Sequence, residues 1–244
     1  PGLGRPRAMS GSLLLLGFVI GMRHAVEADH VAAVSSLATR AGSVEETIRQ
    51  GTAWGIGHTV TLFLIGSFVL LVDTLVPAQV AAALELIVGI MLVGLGTDVI
   101  RRLVRDRVHF HLHRHGDGTT HFHAHSHVGE TRHDPARHEH HHPGRLPIRA
   151  LLVGLMHGMA GSAALILLTL QTVSSPWTGL LYIALFGLGS TLGMAVLSAA
   201  IAVPLRYSAR GVTWLHSALH ATVGLATIAI GARLIYLNGF APAA

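Results

Sequence analysis

Cysteine is absent from the 244-residue chain, which excludes disulfides, thiolate metal sites and thiol catalysis. Lysine is absent too, so all 17 basic residues are arginine. Charged residues of both signs make up only 12% of the chain, against roughly a quarter in a soluble domain. No GxxxxGK[ST] phosphate-binding loop occurs, so nothing marks a nucleotide-driven machine. Apolar residues take up the difference: 51% of the chain is hydrophobic and the mean hydropathy is +0.56.

These apolar residues are gathered into runs of the length that crosses a bilayer, about 20 residues. Six can be marked, at 12–38, 51–72, 80–101, 149–172, 178–203 and 214–237. The first begins like a signal peptide, with Arg5 and Arg7 ahead of Leu13–Leu16. It then runs on through Arg23-His24-Ala25-Val26-Glu27-Ala28-Asp29-His30 without a small-residue cleavage site, and reads as a span. The pattern predicts an all-α polytopic membrane protein with six transmembrane helices.

The net charge of +5 and pI near 10.9 would suit nucleic acid, but the placement of arginine points elsewhere. Thirteen arginines fall in or beside the loops joining spans 1–2, 3–4 and 5–6. Only Arg5, Arg7 and Arg233 lie on the other side, and Arg23 is inside the first span. The positive-inside rule puts those three loops in the cytoplasm and both termini outside. The basic excess is a topology signal, and no nucleic acid partner is expected.

Residues 102–148 stand apart, holding thirteen of the 19 histidines among Gly, Asp, Arg and Pro. With no helical or strand period, the segment reads as a mobile cytoplasmic linker of metal-capturing composition. The candidate capture residues are His109, His111, His113, His115, His121, His123, His125, His127, His138, His140, His141 and His142. The linker separates a first three-helix half, 1–101, from a second, 149–244. The halves look related. Gly21-Met22-Arg23-His24 matches Gly154-Leu155-Met156-His157, Gly57-His58-Thr59 matches Gly189-Ser190-Thr191, and Gly89 and Gly96 match Gly224 and Gly231. An odd number of spans per half makes this a 3+3 inverted repeat, which in secondary transporters places the substrate site between the halves.

The first span carries the densest chemistry. Arg23, His24, Glu27, Asp29 and His30 lie mid-span, where each Asp or Arg costs roughly 2.5–3.5 kcal/mol to insert and a leucine returns only about 0.3–0.6 kcal/mol. An Arg23–Glu27 pair at i,i+4 accounts for two of them. It leaves His24, Asp29 and His30 as candidate metal ligands. At about 100° per residue these three point about 100–140° apart, so a straight helix cannot aim them at one ion. The first helix is therefore predicted to be discontinuous. His58, among small residues in span 2, joins the set, and so does His157 in span 4. His216 and His220 read as structural groups near an interface.

Imidazole with carboxylate suits nickel, cobalt, zinc, copper or iron and is a poor match to calcium or magnesium, and the lack of cysteine argues against a copper(I) route. No prosthetic group is expected, since the ion is cargo. An intramembrane serine protease would need G-x-S-G, but Ala163 follows Ser162. A di-iron oxidase would need its histidines on helices, and here they crowd a loop. No enzyme is predicted.

His24-Ala25-Val26-Glu27-Ala28-Asp29-His30 matches the HxxxxDH signature of the nickel/cobalt transporter family. Gly57-His58-Thr59 is similar to that family's second histidine motif. His157-Gly158-Met159-Ala160-Gly161-Ser162 resembles the H-G-x-A-G-S segment of the urease- and hydrogenase-associated nickel permeases. The resemblance covers the membrane core and not the loop. It implies ion recognition by His24, Asp29, His30 and His58. It also implies a multi-pass carrier in a bacterial inner membrane, among lipid, moving Ni2+ or Co2+, or Zn2+, and serving a nickel chaperone or urease or hydrogenase maturation proteins. The best-studied permeases of the family carry eight spans, whereas this chain shows six. In the related nickel/cobalt efflux branch, which shares the long histidine loop, glycine tends to stand where Asp29 does. Asp29 therefore argues for uptake and the loop for efflux.

Overall fold

The computed structural model describes residues 7–72, 77–105, 110–114, 120–124, 147–160, 175–211 and 213–240. The helices are α1 (Arg7–His24), α2 (Ala28–Ala38), α3 (Val44–Val72), α4 (Ala78–Arg105), α5 (Ile148–Ala160), α6 (Pro176–Gly211) and α7 (Thr213–Gly239). Four of them, α3, α4, α6 and α7, are each long and apolar enough to cross a membrane. The α1–α2 pair, bent by 56° at its break, makes a fifth candidate span. The span expected over 149–172 is described only as far as α5, and its remainder lies outside the described residues. Leu15, Leu64, Phe68 and Leu71 stay at least 64% exposed, as lipid-facing side chains do and core residues of a soluble protein do not.

The expectation of a linker without regular structure is corrected in part. Phe110–Arg114 (β1) and Thr120–Ala124 (β2) form an antiparallel ribbon, with His111 opposite His123 and His113 opposite His121. The His-x-His spacing there is itself a period of two, the strand period. The other eight capture histidines lie outside the described residues.

Helix α3 lies between α5 and α6, α1 lies on α6, α4 runs along α7, and the short α2 touches α4, α6 and α7. Lipid gives no hydrophobic push between helices, so close packing and interhelical hydrogen bonds must hold them. Both are present. Ser36 and Thr227 hydroxyls share a buried 2.9 Å hydrogen bond between α2 and α7. Thr59 on α3 meets Thr191 on α6 at 2.9 Å and donates to the Gly187 carbonyl at 2.8 Å. At the end of α2, Arg40 pairs with Asp98, which also accepts from Arg102 at 3.3 Å.

Glycines set the helix spacing in reciprocal pairs. A Cβ on Gly57 would collide with the Leu151 carbonyl, and one on Gly189 with the Phe18 carbonyl. Likewise Gly154 abuts the Trp54 carbonyl, and Gly21 the Phe186 carbonyl. Between α4 and α7, a Cβ on Gly89 would lie 2.9 Å from the Gly231 oxygen, and one on Gly96 2.6 Å from that of Gly224. Gly57→Val should destabilise the bundle by about 1–3 kcal/mol, as overpacking against immobile backbone does. Gly94, where an added methyl would meet nothing within 4 Å, should tolerate Ala. Thermal unfolding in detergent, followed by size exclusion, compares the two variants.

Candidate metal centre

The site is built around the break in the first span. Backbone hydrogen bonds tighten to Val26 N–Arg23 O and Glu27 N–His24 O, both 3.0 Å, and end α1. Glu27 is extended, at φ −65° and ψ 151°, and α2 restarts at Ala28. No proline or glycine stands between 24 and 28. The break does what the angular argument requires: it turns His24, at the end of α1, and His30, in the first turns of α2, toward each other. Their ring centroids are 4.3 Å apart.

His58 from α3 and His157 from α5 complete the cluster. His58 lies 5.4 Å from His24 and 5.1 Å from His30, and His157 lies 4.2 Å from His30, between ring centroids. Close approach of α3 and α5 makes this geometry available, because Gly158 abuts the His58 carbonyl. His30, His58 and His157 are at most 1% exposed. Two trios have ligand atoms within 4.8 Å of one another: His24, His30 and His58, and Asp29, His30 and His157. The five residues expected in the spans thus meet in one place, with His30 common to both trios.

Hydrogen bonding fixes which nitrogens are free. Asp29 Oδ1 is 3.0 Å from His30 Nδ1 and its Oδ2 is 3.0 Å from His157 Nε2. Glu27 Oε1 is 3.0 Å from His24 Nδ1. An ionised carboxylate only accepts, so each facing ring nitrogen carries its proton and the opposite nitrogen keeps its lone pair. His24 Nε2, His30 Nε2, both nitrogens of His58 and His157 Nδ1 are buried without a hydrogen-bond partner. A buried polar atom left unsatisfied costs about 1–3 kcal/mol. Several such atoms, on neighbouring rings carried by four helices, are a donor set suited to a Lewis acid. Carboxylates behind the rings, as here, orient ligating histidines and raise their basicity. Asp29 also lies in the first turn of α2, where the helix dipole favours an anion.

The Arg23–Glu27 pair expected at i,i+4 is not formed. The helix ends at His24, the i,i+4 register is lost, and Glu27 turns to His24 instead. Trp54 was not anticipated. It is fully buried, 5.3 Å from His30 and 5.4 Å from His157 by ring centroid, and walls the cluster. Its position four residues before His58, on the same helical face, was the available signal. His216 and His220 lie 4.2 Å apart on α7, in neither trio.

Fold and site together define a multi-pass helical membrane protein with buried imidazoles close enough together to hold a metal ion. The chain is 36% identical over 230 residues to the urease accessory protein UreH of Bacillus sp. strain TB-90, covering 93% of this chain and 92% of that one. It is 25% identical over 192 residues, 76% of this chain and 74% of the other, to a Methanocaldococcus jannaschii protein provisionally named a nickel/cobalt efflux system. No family model and no solved structure matches it. The chain belongs to the nickel/cobalt transporter family.

Asp29→Asn should keep the fold and lower Ni2+ affinity by about 10–100-fold, the usual effect of losing a carboxylate behind a ligating histidine. Isothermal titration of purified protein in detergent measures it.

Proposed function

We propose that the protein is a secondary carrier that takes up Ni2+ or Co2+ across a bacterial inner membrane, binding the ion at His24, His30, His58 and His157 with Asp29 behind them. The observation that carries this reading is the set of unpartnered imidazole nitrogens buried at the break of a spanning helix. Charged or polar groups at that depth are expensive and mark ion pathways. A broken span at the site is the usual transporter solution.

Alternating access follows from a 3+3 inverted repeat. The reciprocal glycine contacts support that arrangement, since Gly21–Phe186 mirrors Gly154–Trp54 and Gly57–Leu151 mirrors Gly189–Phe18. In that arrangement a two-fold relating the halves would exchange each contact for its partner. In this reading one half rocks against the other around the bound ion, and the linker, placed in the cytoplasm by the arginine distribution, buffers metal there. Asp29 and the resemblance to a urease accessory protein favour uptake, with delivery toward urease maturation. The histidine linker and the archaeal relative's name favour efflux as the second reading. Accumulation of radioactive nickel in cells rises on expression under the first and falls under the second.

In proteoliposomes, His30→Ala should abolish nickel flux while wild type transports. A protonated imidazole cannot ligate, so the sign is fixed: flux falls once acid protonates the site rings, and flux unchanged to the acid limit of the folded protein would count against imidazole ligation. Deleting 109–142 should lower the number of ions bound per chain and leave flux through the spans in place.

A further inference from the structure

The histidine site is sealed on most sides, and where it is not, the chain provides a cavity. His24 is the one imidazole of the cluster with appreciable side-chain exposure, 12%. Beside it lies a cavity of about 400 Å3 lined by Ile20, Arg23, His24, Val26 and Glu27. A divalent ion with roughly six waters at about 30 Å3 each fits that volume. Arg23 and Glu27 are exposed in the middle of a spanning segment, and charged groups at that depth face water-filled space.

We propose that this cavity is the port by which the hydrated ion reaches the site, and that Glu27 captures it and passes it to His24. The inference rests on the carrier reading above. Glu27 has the two properties a capture residue needs. Its side chain is 58% exposed, yet its Oε1 is 3.0 Å from Nδ1 of His24. Its other oxygen is free to meet a cation still wearing its waters, which oxygen ligands suit; nitrogen ligands take over once water is shed. Arg23 lines the same cavity, and its side chain has no ion-pair or hydrogen-bond partner among the described residues. With both present the port is neutral. Without Glu27 it is positive and repels its cargo.

The test is nickel flux in proteoliposomes of the full chain. Glu27→Gln removes the charge but keeps an oxygen that accepts from His24, so a merely orienting role survives it and a capturing role does not. KM should rise about tenfold, as expected for an unscreened cation beside the path, with kcat within about twofold. The rise should shrink as ionic strength screens the port, and Arg23→Gln should lower KM. An unchanged KM in Glu27→Gln, or a lower kcat at unchanged KM, overturns the proposal. His30→Ala is run beside it: if that variant transports normally, the carrier site itself is misassigned, and if it is dead while Glu27→Gln behaves as wild type, only the port is.

Discussion

The structure depends on one carboxylate. Asp29 receives a ring nitrogen of its sequence neighbour His30 on one oxygen and a ring nitrogen of His157, from the second half of the chain, on the other. Two charge-assisted hydrogen bonds offset much of the cost of keeping an anion in a span. The same bonds dictate the tautomers, so His30 Nε2 and His157 Nδ1 are left buried with lone pairs and no partner. Asp29 reaches both rings only because α1 stops at His24 and α2 restarts at a new angle. The break that makes this bridge also puts Glu27 outside any helix and against His24. Ligand geometry, helix discontinuity and the cavity at Glu27 are consequences of one arrangement.

That bridge needs α2 and α5 held at fixed separation, and lipid offers no hydrophobic force to do it. The helices are held by backbone proximity instead. Trp54 and His58 of α3 present their carbonyls to Gly154 and Gly158 of α5, so the helix bearing His58 and the helix bearing His157 touch along bare backbone on either side of the site. Leu92, Met194 and the small residues Ala25, Ala32, Ala33 and Ala53 fill the core around it. Such a core gives little room for ring rearrangement, and the imidazoles are set by packing as much as by hydrogen bonds.

Much of this was legible in the residues, and the parts that were not share a cause. Span positions followed from hydropathy, and the boundaries of α3, α4, α6 and α7 enclose the runs expected. The discontinuity followed from the angles among His24, Asp29 and His30. The gathering of those three with His58 and His157 was expected as well. What failed was any argument that assumed regular geometry through the break. Arg23 and Glu27 are helical neighbours only if the helix continues, and it does not. Trp54 escaped notice because a tryptophan in an apolar span is ordinary, and only its place one turn before His58 gives it meaning. In the linker, counting histidines obscured their alternation, which is what lets Phe110–Arg114 and Thr120–Ala124 pair as strands.

Donor chemistry narrows the cargo without selecting it. Neutral imidazoles reject calcium and magnesium, which want oxygen, but on the usual affinity order a nitrogen site holds copper(II) more tightly than nickel or cobalt. Preference for one ion must therefore come from positions the rings are not allowed to leave. A site with rings on flexible segments would relax around any of these ions and lose the distinction. Here three of the four rings are at most 1% exposed, three are tied to carboxylates, and the fourth, His58, is held by a helix pressed against Gly158. On the proposed reading, selectivity among transition ions rests with the glycine contacts and with Asp29, which fix the positions of the rings.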